Sequence, residues 1–248
     1  MRPRPYLVLI AIILLTASAV FAQKKKQNQF EDAQERSQDA AKIIDLLSVL
    51  RENEMPKELV DRALAVAVFP KVNKESMLFT TVTQGYGVIS ARTETGWTLP
   101  AFYEFSGGGY GGSFARSDTA PVILLFMTKD ALSWFEKGGV KLRSDKKAIQ
   151  GPVGKITDEQ RKRIEGAQVL AYSFYEGRLN GDAFGTSFWK TFLLNPDNKI
   201  NVPLYGMKGR EVLAGKKVQD SPARPATIPT FTEALQKYYA APKSSASN

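Results

Sequence analysis

The sequence predicts an α+β fold in which a curved antiparallel β-sheet, or half-barrel, carries a long N-terminal amphipathic helix and short flanking helices. Short runs rich in aromatic and β-branched residues recur between residues 63 and 184, separated by glycine or proline. Glycines concentrate between residues 85 and 112, where they permit bulges and sharp bends. Residues 29–54 contain no glycine or proline and place apolar side chains at helical spacing.

The first 22 residues have the layout of a secretory signal peptide. Arg2 and Arg4 precede an apolar run over residues 6–15, and small residues lead to Ala22. We predict cleavage after Ala22 and export to the periplasm or the extracellular space, with membrane association. An uncleaved anchor is the alternative, because the apolar run is at the upper end of the usual length. Removal of two arginines leaves 32 basic and 25 acidic residues, a net charge of +7.

The expected organisation has four parts. A signal peptide (1–22) and a basic linker (23–28) precede one folded domain (29–217). The last part (218–248) comprises a proline-rich linker, a short helix and a disordered tail.

The helix over residues 29–54 is expected to pack on the sheet. Its polar face is acidic, with seven acidic residues against three basic ones. A helix that lies on a membrane surface is usually basic on that face. Asn53 is expected to cap a short second helix that has Pro56 in its first turn.

The remaining elements follow from local patterns. Strands are expected over residues 63–69, 78–83, 88–92, 98–106, 122–127, 168–175 and 178–184. Turns are expected at residues 71–76, 95–96 and 195–198. Short helices are expected over residues 129–137, 207–214 and 231–240, with Thr128 and Thr230 as N-caps. Residues 186–194 are ambiguous and fit a short aromatic helix.

Three glycines match the dinucleotide-binding fingerprint G-x-G-x-x-G, namely Gly107, Gly109 and Gly112. That fingerprint requires a helix directly after it, whose N-terminus holds the pyrophosphate. Residues 113–127 are typical of a strand instead, so we interpret the glycines as a bend in a sheet.

A strongly basic segment spans residues 137–163, with nine Lys or Arg against three acidic residues. A glycine-containing loop at residues 151–154 lies in its middle, and such a loop ringed by cations suits phosphate groups. The alternative is a solvated basic face that balances the acidic helix. The candidate binding residues are Lys141, Arg143, Lys146, Lys147 and Lys155.

The composition argues against catalysis. The chain has no cysteine and no histidine, which removes thiolate nucleophiles, imidazole bases and the usual zinc sites. Ser144 and Lys147 match S-x-x-K, but the further elements of a Ser/Lys hydrolase are missing. Asp158 and Glu159 look like the start of a helix. We therefore expect no enzyme activity and no cofactor.

The order of several short motifs resembles the SYLF domain family. The matching pieces are residues 67–70, 85–88, 97–101, 107–112, 122–127, 141–142, 151–155, 171–173 and 177–179, Asp118, Gly181, Asn201 and residues 205–206. The likeness covers about residues 40–215. The chain departs from the family at residues 77–81, which lack the usual glycine pair, at Ser113, which replaces Gln, and at Ala115 and Arg143, which replace Gly.

The resemblance implies a lipid-binding domain without known catalysis that binds acidic phospholipids, which are phosphoinositides in eukaryotic members. The leading hypothesis is therefore a module of the cell envelope whose partner is the anionic lipid surface, with no role for nucleic acid. The actin association of fungal members is not carried over, because a signal peptide takes the chain out of the cytoplasm. A structural or partner-binding envelope protein is the alternative, and a Ser/Lys hydrolase comes third.

Overall fold

The computed structural model describes residues 5–49, 55–77, 80–110, 116–142, 148–175, 178–180, 191–219 and 224–239. Within these ranges the chain forms seven helices and ten strands. The helices are α1 (Pro5–Val49), α2 (Lys57–Arg62), α3 (Lys129–Glu136), α4 (Asp158–Ile164), α5 (Asn198–Tyr205), α6 (Gly209–Leu213) and α7 (Thr230–Tyr238). The strands are β1 (Ala65–Met77), β2 (Thr80–Thr93), β3 (Gly96–Trp97), β4 (Ala101–Tyr110), β5 (Arg116–Phe126), β6 (Val140–Leu142), β7 (Ala148–Gln150), β8 (Val169–Tyr175), β9 (Arg178–Asn180) and β10 (Thr191–Pro196).

The strands form one strongly curved sheet in the order β6-β10-β4-β2-β1-β5-β8-β7, with β3 paired to β2 and β9 paired to β8. A flat sheet of this order would separate β6 from β7 by about 34 Å at the usual strand spacing. The chain from Leu142 to Ala148 can span only about 20 Å. The sheet therefore curls into a nearly closed barrel, which confirms the predicted fold class.

Strand β1 continues through Pro70, so the turn predicted at residues 71–76 is wrong. Its pairing with β2 shifts between Val68 and Lys71, and its pairing with β5 shifts between Phe69 and Val72. Pro70 lies in this irregular stretch, where Pro121 of β5 is opposite, so neither missing N–H interrupts the regular ladder. The bulge, rather than a turn, accommodates the proline.

The glycines of β4 are also part of regular pairing. Gly107 lies opposite Thr83 of β2 and Phe192 of β10. Strands on both sides hold Gly107 in a paired ladder, and this ladder belongs to a strongly curved sheet, as predicted for glycines at a bend in a sheet. Gly107 and Gly109 lie within β4, and Gly112 lies outside the described residues. The next described segment is strand β5 and not the helix that a nucleotide site requires.

Aromatic side chains fill the barrel interior. The Phe105 ring lies between the rings of Phe69 and Phe192, with centroids 5.2 Å away on each side. Helix α3 packs at one end of the barrel, where its Phe135 meets the edge of Tyr103 with ring centroids 5.4 Å apart. The predicted N-cap of α3 is confirmed, because Thr128 Oγ1 accepts a hydrogen bond from the Ala131 amide at 3.2 Å.

Helices α1 and α7 pack together on the outer face of the sheet, as predicted for the amphipathic part of α1. Lys71 of β1 joins Glu35 at 3.0 Å and Asp39 at 3.2 Å on α1. Ser37 of α1 donates a hydrogen bond to Ile228 O at 2.6 Å, just before α7. The predicted end of the first helix at residues 50–54, and the Asn53 cap, lie outside the described residues.

Two predictions for the C-terminal half are corrected. The ambiguous residues 186–194 end in strand β10, not in a helix, because β4 and β6 pair with both of its edges. The turn predicted at residues 195–198 is instead the end of β10 and the start of α5. The helix predicted at residues 207–214 is confirmed as α6, and β8 confirms the strand predicted at residues 168–175.

Candidate functional site

The structure places two of the five candidate binding residues. Lys141 is exposed on β6 between two buried neighbours, Val140 and Leu142, and therefore points away from the barrel interior. Lys155 is exposed in the connection from β7 to α4. Strands β6 and β7 are at opposite ends of the sheet order. Arg143, Lys146 and Lys147 lie outside the described residues, so a single patch of all five stays a prediction.

The loop at residues 151–154 is packed on the sheet. A side chain at Gly151 would place its Cβ 2.0 Å from Cζ of Tyr172, and the Gly151 amide donates a hydrogen bond to Ala171 O at 3.1 Å. Gly151 and Pro152 are buried. Gly151 therefore permits a close contact with the Tyr172 ring, and only the following residues of the loop face solvent.

Helix α4 follows this loop and begins with a capping box. Thr157 Oγ1 accepts from the Gln160 amide at 3.2 Å, and Gln160 Oε1 accepts from the Thr157 amide at 2.9 Å. This geometry confirms that Asp158 and Glu159 start a helix. No residue of α4 is buried, so its stability depends largely on local interactions. These are the capping box and the favourable placement of acidic residues in the first turn and basic residues in the last turn, which complements the helix dipole.

The last turn of α4 presents three cations to solvent: Arg161, Lys162 and Arg163. Arg161 lies 3.4 Å from Glu58 of α2, and both side chains are about half exposed, at 55% and 50%. Such an exposed pair contributes little to stability. Helix α4 therefore holds three cations at the surface and packs Ile164 against the core.

A cleft of about 600 Å³ separates α2 from α4. Its base is apolar and includes Leu59, Ala167 and Leu170, which are at most 5% exposed. Arg62, Arg161 and Lys162 line it with positive charge, and Asp158 and Glu165 line it with negative charge. This volume is within the usual range for small-molecule sites.

Two of the cations that line the cleft form no salt bridge with a described carboxylate. Among the described residues, neither Arg62 nor Lys162 forms a salt bridge, whereas Arg161 pairs with Glu58. The sequence did not predict this cleft, because its lining comes from four separate parts of the chain. These are helix α2, the two residues that precede α3, helix α4 with the residues that follow it, and the start of β8. The only available signal was the run of three cations at residues 161–163.

A second exposed surface lies on the outer face of the sheet. Val82 is 61% exposed, Tyr86 41% and Leu193 39%. Leu193 lies opposite Lys141 on β6 and Ser106 on β4. This face combines isolated apolar side chains with polar ones, which is common on protein surfaces.

Three residues that belong to the resemblance with the SYLF family have structural roles: Asn201, Tyr205 and Gly206. Asn201 Oδ1 accepts from the Phe102 amide at 2.9 Å, and its Nδ2 donates to Phe102 O at 2.8 Å. The Tyr205 hydroxyl donates to Pro100 O at 2.7 Å, and Gly206 ends α5 with φ of 72°. These contacts attach α5 to the start of β4 and do not form a ligand site.

The described residues contain no group of three or more acidic, cysteine or histidine side chains that could hold a metal ion. Among the residues whose side chains are described, which begin at Gln27 in α1, no helix is long and apolar enough to cross a membrane.

Comparison with known proteins gives a similarity to a yeast protein. No family model matches the chain. The chain is 31% identical over 153 residues to LAS seventeen-binding protein 3 of Saccharomyces cerevisiae, in strains YJM789 and ATCC 204508 / S288c. The match covers 57% of this chain and 32% of each relative, so the chain spans about a third of the length of these relatives. Assignment to the SYLF family stays a prediction.

Proposed function

We propose that this protein is a non-catalytic module that is exported and binds anionic phospholipids of the cell envelope through its basic surface. One observation carries the proposal: every described cation of the segment 137–163 is exposed. These cations are Lys137, Lys141, Lys155, Arg161, Lys162 and Arg163. Only Arg161 among them forms a salt bridge with a described residue.

The expected strength follows from electrostatics. A Lys or Arg near an anionic membrane contributes about 1 kcal/mol, so several must act together to hold a protein there. Exposed charges are screened within about 10 Å at 0.1 M salt, so binding should weaken as salt rises. The absence of cysteine and histidine from the sequence supports a binding role over catalysis.

The similarity to the yeast proteins supports a binding role but does not identify a lipid as the ligand. The name of the yeast relatives describes a protein that binds LAS seventeen. A protein partner is therefore the second candidate, and the name of these relatives is the observation that favours it. The resemblance to the SYLF family makes anionic lipid the first candidate ligand.

Vesicle flotation tests the lipid proposal. The chain lacking only the predicted signal peptide is mixed with phosphatidylcholine vesicles, with and without phosphatidylglycerol. We expect flotation only with the anionic vesicles and its loss at high salt. A variant with Lys146, Lys147 and Lys155 changed to glutamate should no longer float, and adding Lys141→Glu extends the test to β6.

The matched control changes Lys199, Lys217 and Lys237 to glutamate. All three side chains are exposed and lie outside the basic segment, so the control changes the net charge by the same amount as the triple variant without touching the proposed surface. Equal loss of flotation in this control would show that only the net charge matters. Full flotation of the triple variant would show that the basic segment is merely a solvated face.

A further inference from the structure

We infer that the cleft between α2 and α4 binds a single-chain anionic amphiphile, with the acyl chain on the apolar base and a monoanionic headgroup at the rim. The inference rests on the proposed function, because it assigns one lipid class to one site on the same basic surface. The cleft contains none of the five residues predicted from the sequence.

The base of the cleft has the chemistry of an acyl-chain site. Leu59 and Leu170 are each 1% exposed and form a closed apolar floor between α2 and β8. Met127 and Ile164 line the cleft and are only half-buried, so apolar surface remains open to a ligand. Covering such surface is favourable by about 25 cal/mol per Å².

The rim has the chemistry of an anion site of low charge. Arg62, Arg161 and Lys162 face two carboxylates, Asp158 and Glu165, so the lining has a net charge of +1. Glu58 further neutralises Arg161. Arg62 and Lys162 remain as the cations without a salt-bridge partner among the described residues. Counting Glu58, the six charged groups of the cleft and its edge sum to zero. The site therefore suits at most one negative charge, a carboxylate or a phosphodiester held by Arg62 and Lys162, and disfavours a polyphosphate headgroup.

The wall formed by α4 can adjust to a ligand at low cost. No residue of α4 is buried, and elements with few buried contacts open with small free energies. Arg163 on the same helix is exposed and does not line the cleft. It could therefore meet the membrane surface while Arg62 and Lys162 hold a single lipid.

Calorimetric titration with lauroyl lysophosphatidylglycerol, below its critical micelle concentration, tests the inference. We expect saturable binding of one molecule per chain. Monolauroylglycerol, which has the same acyl chain and no charge, should bind several-fold more weakly. Inositol hexakisphosphate should not displace the lysolipid. Equal affinity for the neutral analogue, or displacement by the polyphosphate, would overturn the assigned headgroup class.

Substitutions locate the site. Arg62→Ala and Lys162→Ala should each weaken lysolipid binding about fivefold, as expected for loss of one cation. Arg163→Ala is the matched control on the same helix and should bind as the parent does. Ile164→Trp should abolish binding by filling the cleft, with folding checked by thermal unfolding. Parent-like binding in both alanine variants of the lining would place the ligand elsewhere.

Vesicle flotation of the same proteins separates this inference from the proposed function. If the parent floats with anionic vesicles but does not bind the monomeric lysolipid, only the cleft assignment is wrong. If the parent binds the lysolipid but does not float, the cleft assignment holds and the membrane-surface function is wrong. If Ile164→Trp loses lysolipid binding and still floats, the two sites are distinct, as we expect.

Discussion

At the scale of single residues, Gly87 shows how close backbone approach shapes the sheet. It lies on β2 opposite the β1 bulge, and a Cβ there would be 2.2 Å from Val68 O and 2.7 Å from Phe69 Cα. Both atoms belong to the backbone and cannot turn away. The bulge that accommodates Pro70 therefore requires a glycine on the neighbouring strand.

Gly87→Ala should consequently lower the free energy of unfolding by about 3 kcal/mol, at the upper end of typical overpacking costs. The control is Gly206→Ala, where φ is 72° and no atom lies within 4 Å of the added Cβ. That substitution should cost only about 1 kcal/mol, from the left-handed backbone alone. Urea unfolding measures both. Equal costs would show that the bulge relaxes freely.

Three buried tyrosines make stability depend on pH at the alkaline end. Burial raises the pKa of Tyr103, Tyr172 and Tyr205 above the ordinary phenol value. The folded state therefore holds these protons more tightly than the unfolded state. Their contribution is complete below the unfolded pKa of about 10 and is lost as pH rises towards the folded pKa.

Tyr172→Phe should reduce the alkaline slope of the free energy of unfolding by about 1.4 kcal/mol per pH unit. At neutral pH it should cost little, because the Tyr172 hydroxyl has no hydrogen-bond partner in the described part of the chain. Tyr205→Phe should cost about 1 kcal/mol at neutral pH, because it removes the bond to Pro100 O. Urea unfolding at several pH values distinguishes the two variants; identical profiles would contradict the assignment.

At the scale of elements, α7 is part of the packed structure. Its Phe231 is fully buried, and the Phe231 amide donates to Ser37 Oγ of α1 at 3.3 Å. Trp97 Nε1 donates to Tyr239 O at 3.3 Å, which attaches the end of α7 to β3. The sequence alone suggested a short helix beyond a proline-rich linker and gave no indication of this docking.

Phe231→Ala should therefore destabilise the whole chain by about 3–5 kcal/mol, the usual cost of truncating a buried phenylalanine. Lys237→Ala, at an exposed position of the same helix, should change stability by less than about 0.5 kcal/mol. Thermal unfolding followed by circular dichroism compares them. An unchanged main transition in the Phe231 variant would mean that α7 contributes nothing to the fold.

At the scale of the whole molecule, α1 combines the predicted signal peptide and the segment that packs on the sheet. The helix runs from Pro5 to Val49, and among its described side chains, which begin at Gln27, the buried apolar ones range from Ala33 to Leu47. The predicted cleavage after Ala22 falls before that contact region. Cleavage would therefore shorten the helix without removing any of these packing residues.

Mass spectrometry of the exported protein should accordingly identify Gln23 as its first residue. The shortened chain should unfold at the same denaturant concentration as the uncleaved one, since it retains the described buried side chains from Ala33 to Leu47. An exported chain that begins at Met1 would instead support the uncleaved anchor. A lower unfolding midpoint after cleavage would show that residues 1–22 stabilise the barrel.

The sequence by itself determined the features that depend on neighbouring residues. The apolar spacing of residues 29–54 predicted the packed part of α1, and Thr128 predicted the start of α3. Capping and helical periodicity involve groups within one or two turns, so local sequence predicts many of them. The cap predicted at Thr230 is wrong, because Thr230 is the first residue of α7 and its hydroxyl donates to Thr227 O. The α+β class also followed from local patterns, namely strand-like runs separated by glycines and one long segment with helical spacing.

The tertiary structure decided everything that depends on distant partners. β10 is a strand because β4 and β6 pair with it, and β1 passes Pro70 because Pro121 and Gly87 lie beside the bulge. The cleft lies between α2 and α4, which precede β1 and β8, the two strands that pair with β5. Strand pairing and barrel closure join residues far apart in the chain, and the energy of each pair depends on which strand becomes the neighbour.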